Sequence, residues 1–171
     1  MRDTLSKKLY AWDGVHIDYM TPIYDRYSKK QEFLDTLIRL YQNDLQLQIA
    51  TTWLLKHHYD SGQKLSEKQI TEVLLLCDKL SLWEARLHIL QIIPKLDLTE
   101  DMVALIEWFV RAAINDNKKF VKAAAYQAYF TLIQYKPELR EEFKSQCQYA
   151  MDHESAAVVS KVRKILKQLE A

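Results

Sequence analysis

Six residues of this chain stand out by type and position: Trp53, Trp83, Arg86, Lys122, Tyr126 and Tyr129. On a helical projection, Arg86 falls inside the apolar arc of Leu82, Ile89, Leu90 and Ile93. A guanidinium there needs a partner, because a buried unpaired charge is costly. It could form a salt bridge within the fold, with Asp78 or Asp44 as the carboxylate. Equally, it could hold the carboxylate or phosphate of a ligand beside Trp83. Lys122, Tyr126 and Tyr129 share one face of a helical run, and Trp53 shares another with His57 and Gln46. Gathered on one concave side, the six would line an aromatic and basic groove. Such a groove suits a peptide, or stacking and phosphate contact on a nucleic acid. Aromatics at helical spacing also serve as core filling, and both readings stay open at this level.

Other residue patterns carry less chemistry. His57 and His58 are adjacent and diverge around a helix, so they are no metal pair one turn apart. Glu84 and His88 have that spacing but lack a third ligand, and His153-Glu154 lacks the second histidine of a zinc-protease helix. No serine elbow, phosphate-binding loop or dinucleotide fingerprint occurs. The carboxylate pairs Glu100-Asp101 and Glu141-Glu142 stand near helix starts, where the macrodipole accounts for them. Cys77 and Cys147 are isolated within apolar runs. The reading leans to a noncatalytic chain that uses no metal and no cofactor.

The elements that position these residues are helical. Only two glycines and three prolines occur in 171 residues, too few for the turns of a sheet-rich fold. Apolar residues recur at helical spacing in Phe33, Leu37, Ile38 and Tyr41, in Ile70, Val73, Leu74 and Cys77, and in Met102, Ile106, Phe109 and Val110. Ser66-Glu-Lys-Gln69 has the spacing of a capping box, Gly62 suits a helix end, and Pro94 and Pro137 punctuate two further runs. The last run puts Val158, Val162, Ile165, Leu166 and Leu169 on one side and Lys161, Arg163, Lys164 and Lys167 on the other. Residues 1–27 lack sustained periodicity. They hold Tyr10, Trp12, Tyr19, Tyr24 and Tyr27, and Thr21-Pro22 reads as a helix start.

Three stretches, beginning at Leu82, Phe120 and Val158, recur at one spacing, and each follows another helical run. Recurrence on that scale marks a solenoid, whose units bury their apolar faces only against neighbours. The runs Trp83-Glu-Ala-Arg86…Leu90 and Val121-Lys-Ala-Ala-Ala-Tyr-Gln-Ala128 resemble the second helices of HEAT/armadillo-like repeats, of the kind found in small bacterial HEAT-like proteins. The resemblance spans about 28–171. It implies an all-α, right-handed α-α superhelix of about four helix pairs, in one domain over 1–171 with an irregular, aromatic-rich segment at 1–27.

The net charge of +1 supplies no global field toward nucleic acid. No apolar leader, membrane-length run or glycosylation sequon is present, so the expected place is the cytoplasm and no membrane partner is expected. The expected function is a binding or scaffold module that takes a protein partner. A second reading rests on a distant resemblance to HEAT-like alkylpurine DNA glycosylases, which act on nucleic acid from a basic concave face. Trp53, Trp83, Arg86 and Lys122 are compatible with it. A third is a self-associating protein that uses Tyr10 to Tyr27 as an aromatic contact surface.

Overall fold

The computed structural model describes residues 2–170, and among them every regular element is helical. The chain forms two compact units, one running to Ile89 and the other starting at Leu90. The first holds α1 (Arg2–Tyr10), α2 (Ile17–Tyr27), α3 (Phe33–Asn43), α4 (Gln48–Asp60) and α5 (Glu67–Leu75). Helix α6 (Trp83–Ile92) spans the division. The second unit holds α7 (Glu100–Ala113), α8 (Lys119–Leu132), α9 (Arg140–His153) and α10 (Ala156–Glu170). No helix among the described residues is long and apolar enough to cross a membrane.

Local chemistry sets several of the boundaries. Ser66 accepts the Gln69 N–H while the Gln69 side chain accepts the Ser66 N–H, so α5 opens on the capping box that its sequence proposes. Thr99 caps α7 through the Met102 N–H. Asp44 accepts the Gln46 N–H and starts a short 3-10 turn, Leu45–Leu47, that leads into α4. Gly62, at φ +77°, lets the chain reverse just after α4, a conformation that other residues adopt only with strain. Pro94 and Pro137 lie in the 3-10 turns Ile93–Lys95 and Pro137–Leu139, not inside α-helices.

Residues 2–27 differ from their sequence reading. They are two helices that belong fully to the first unit. Leu5, Leu9, Met20, Ile23, Tyr24 and Tyr27 are all buried. The α1 stripe is only two residues long, and the helically spaced α2 stripe is half tyrosine and broken by Pro22, which is why periodicity does not reveal them. Pro22 does not open α2; it sits inside it, as the sixth residue of the helix that starts at Ile17. With no N–H it leaves the Asp18 carbonyl without its helical donor. Nearby, the Thr21 hydroxyl bonds the Ile17 carbonyl at 3.3 Å.

Both cores combine apolar filling with polar cross-links about one helix pair apart in sequence. In the first unit Tyr24 meets His58 at 2.9 Å, the Gln69 amide donates to Asp35 at 2.7 Å, and Tyr41 donates to the Leu76 carbonyl at 3.0 Å. Gln48 is buried and donates to the Lys79 carbonyl at 2.7 Å, while its own oxygen takes the Ser81 N–H at 3.3 Å. In the second unit α8 packs on α7, α9 and α10. Its alanine-rich face, with Ala125 and Ala128 fully enclosed, permits that close approach. Lys136–Glu107, Arg111–Glu142 and Lys122–Glu154 bridge the successive pairs there, each at 2.6 Å.

Candidate functional site

The six residues singled out from sequence divide three and three between the units. In the first unit Trp53 is half-buried, lies 6.1 Å from Trp12 and stacks on His57 at 4.8 Å and 10° between planes. His57 in turn meets the Tyr24 ring edge-on at 4.7 Å. This ladder joins the loop after α1, helix α2 and helix α4 through aromatic contact. Trp83 and Arg86 are also half-buried, and Arg86 donates to the Ser81 carbonyl at 3.0 Å, just before its own helix. Asp44, one of the carboxylates considered for Arg86, accepts the Tyr10 hydroxyl and the Gln46 N–H.

In the second unit Tyr126 and Tyr129 are buried, both packed on Phe143, at 6.3 and 4.7 Å between ring centroids. Burial pushes the Tyr126 hydroxyl up to about 12 and raises that of Tyr129. These two rings fill the core and line no open surface. Lys122 closes an ion pair with Glu154. Periodicity correctly puts the three residues on one face, but it cannot say whether that face meets water or another helix.

The cysteines are likewise core groups. Both are buried, and burial pushes the Cys147 thiol up to about 12 and the Cys77 thiol higher still, which keeps them protonated and unreactive. Among the described residues no three His, Cys, Asp or Glu side chains gather to hold a metal ion.

The surface feature with the most defined chemistry lies in the region that sequence periodicity passes over. A groove of about 330 Å³ runs between α1 and α2, with Tyr19, Pro22, Ile23 and Tyr27 as its apolar lining and Lys8, Arg26 and Asp18 as its charged rim. The loop that joins the two helices is fixed. Asp13 accepts the N–H groups of Val15 and His16 at 2.9 and 3.0 Å, and its other oxygen meets the His16 ring at 2.5 Å. The bonds from His16 hold the Asp13 carboxyl well below the usual carboxylate range. Tyr19 pins α2 to α1 by donating to the Lys8 carbonyl at 3.0 Å.

The Tyr27 ring is buried and faces two cations, with the Arg26 guanidinium 5.8 Å and the Lys30 ammonium 5.0 Å from its centroid. Beside the groove, Ile17 is 54% and Tyr19 40% exposed. The sequence signal for this site is the density of tyrosines over Tyr10 to Tyr27, interleaved with Lys8, Arg26 and Lys30. No protein-family model, curated protein or solved structure matches the chain at a significant level.

Proposed function

We propose that the chain is a noncatalytic binding module that takes a protein partner in the α1/α2 groove. The helix pairs that follow would serve as its scaffold, in the manner of a HEAT-like superhelix. Support for the repeat comes from polar bonds offset by 34 residues, Tyr24 to His58 and Gln69 to Asp35, which treat α1/α2 as one more pair.

The observation that carries the binding reading is the groove's composition. An apolar lining with one tyrosine under two cations sits beside exposed Ile17 and Tyr19. Exposed aromatic and apolar surface gains by leaving water, at roughly 25 cal/mol per Å². Lys8 and Arg26 against Asp18 give the rim a positive excess. The partner that answers both features is an acidic segment bearing leucine or phenylalanine side chains.

Selection of a random-peptide library on the full chain tests this. Enriched sequences should combine acidic with large apolar residues, and Lys8→Glu with Arg26→Glu should weaken them about tenfold or more. Absence of enrichment, or enriched peptides indifferent to both reversals, would sink the proposal. So would a dimer in sedimentation that the two reversals dissolve, because the groove would then belong to a second copy of the chain.

A further inference from the structure

A second concavity in the first unit has a different character, and its argument does not depend on the groove. Helix α2 ends at Tyr27 with Ser28 as its C-cap, and α4 ends at Asp60 with Ser61 as its C-cap. Gly62 reverses the chain there, bringing the Gln63 N–H onto the His58 carbonyl at 3.1 Å. Between these two helix ends lies a pocket of about 490 Å³.

The floor of the pocket is Tyr24 and His58, both more than nine-tenths buried and 2.9 Å apart. His58 Nε2 faces the Lys64 carbonyl at 3.4 Å, which puts the ring proton on that nitrogen and leaves Nδ1 to accept the Tyr24 O–H. Ser61 lines the pocket beside them. This floor is held rigid by its own bonds.

The wall is charged. Asp25, in the last turn of α2, and Lys29, just past its C-cap, are exposed and line the same pocket. Neither is spent on an ion pair, with the other or with any further described residue. The C-terminal ends of α2 and α4, at Ser28 and Ser61, add negative partial charge to the pocket. Ser28, Ser61 and Gln63 supply uncharged donors and acceptors between the poles.

We infer that this pocket binds a small zwitterion, a free α-amino acid with an uncharged polar side chain. Its ammonium would face Asp25, and its carboxylate would face Lys29. A simple cation or anion would answer only one pole, whereas a zwitterion answers both and brings no net charge into the pocket.

Titration of the isotopically labelled full chain with L-glutamine, followed by amide chemical shifts, tests the assignment. Saturable shifts should centre on the Ser61, Gly62 and Gln63 amides. Glutamine amide, which lacks the carboxylate, and N-acetyl-glutamine, which lacks the ammonium, should each bind at least about tenfold more weakly. Asp25→Asn and Lys29→Gln replace exposed side chains, and circular dichroism would verify that both variants are folded. Each should weaken glutamine by a similar factor. The inference is overturned by an absence of saturable shifts up to tens of millimolar glutamine, by shifts centred elsewhere, by equal binding of the capped analogues, or by folded variants that bind as well as the parent.

Discussion

His88 on α6 lies against Thr52 of α4, with its Nδ1 3.0 Å from the Thr52 hydroxyl oxygen. That hydroxyl already donates to the Gln48 carbonyl at 2.7 Å, so the histidine must be the donor and carries its proton on Nδ1. Burial, reinforced by the nearby Lys56 cation, pushes His88 down from 6.5 to about 4. Between those two values the unfolded chain holds a proton that the folded chain refuses. Stability is therefore full above pH 6.5 and is lost as the pH falls toward 4, by an amount on the order of 3 kcal/mol. Burial lowers His58 as well, in the same sense. Replacing His88 by Asn keeps an N–H near the Nδ1 position and removes the titration. Urea unfolding of His88→Asn between pH 6.5 and 4.5 should show a flatter loss of stability than the parent, with the remaining slope belonging to His58. An unchanged slope would mean that His88 is protonated in the fold. None of this is legible in sequence, where His88 reads only as half of an incomplete metal pair with Glu84. Its hydrogen-bond partner, Thr52, is 36 positions away.

At the level of helices, sequence reading succeeds where local chemistry decides and stops where packing does. Ser66 and Gln69 announce the start of α5, and Thr99 that of α7, because a cap is written in consecutive residues. Helices α1 and α2 escape notice because the stripe of Leu5 and Leu9 is short, because half of the stripe Met20, Ile23, Tyr24 and Tyr27 is tyrosine among other tyrosines, and because Pro22 imitates a helix start. The same limit separates the two kinds of ion pair in the second unit. Lys122 and Glu154 are only 23% and 20% exposed, whereas Arg111 and Glu142 are 36% and 44% exposed. Stranding one partner of the enclosed pair leaves a poorly hydrated charge, at a cost of about 2 kcal/mol; the open pair is worth about 0.5 kcal/mol. Lys122→Met should thus lower the urea midpoint clearly more than Glu142→Gln. Adding Glu154→Gln to Lys122→Met should recover part of that loss. Equal effects of the two single substitutions, or no recovery in the double variant, would show that the Lys122–Glu154 pair is as well solvated as the open one.

Across the whole chain, and within each unit, the charges are close to balanced. Residues 1–89 carry twelve basic and twelve acidic side chains, and residues 90–171 carry twelve and eleven. Several of the cations are also occupied, since Lys56, Arg111, Lys122 and Lys136 all face carboxylates. Affinity for a nucleic-acid backbone comes mainly from counterion release, and each cation already paired with a carboxylate contributes little of it. The exposed Arg163, Lys164 and Lys167 of α10 make the densest basic face, yet they occupy a single helix. Two of the four aromatics expected to line a basic concave face, Tyr126 and Tyr129, are closed inside the second unit. The distant resemblance to alkylpurine DNA glycosylases therefore finds little electrostatic support. Fluorescence anisotropy with a labelled duplex of about 20 base pairs should detect no saturable binding by the full chain, even at roughly 20 mM salt, where phosphate contacts are strongest. Saturable binding whose logarithm falls steeply with the logarithm of salt concentration would overturn that expectation. Charge reversal along α10 would then decide whether its basic face is responsible, because removing each phosphate contact lowers the salt slope by about one.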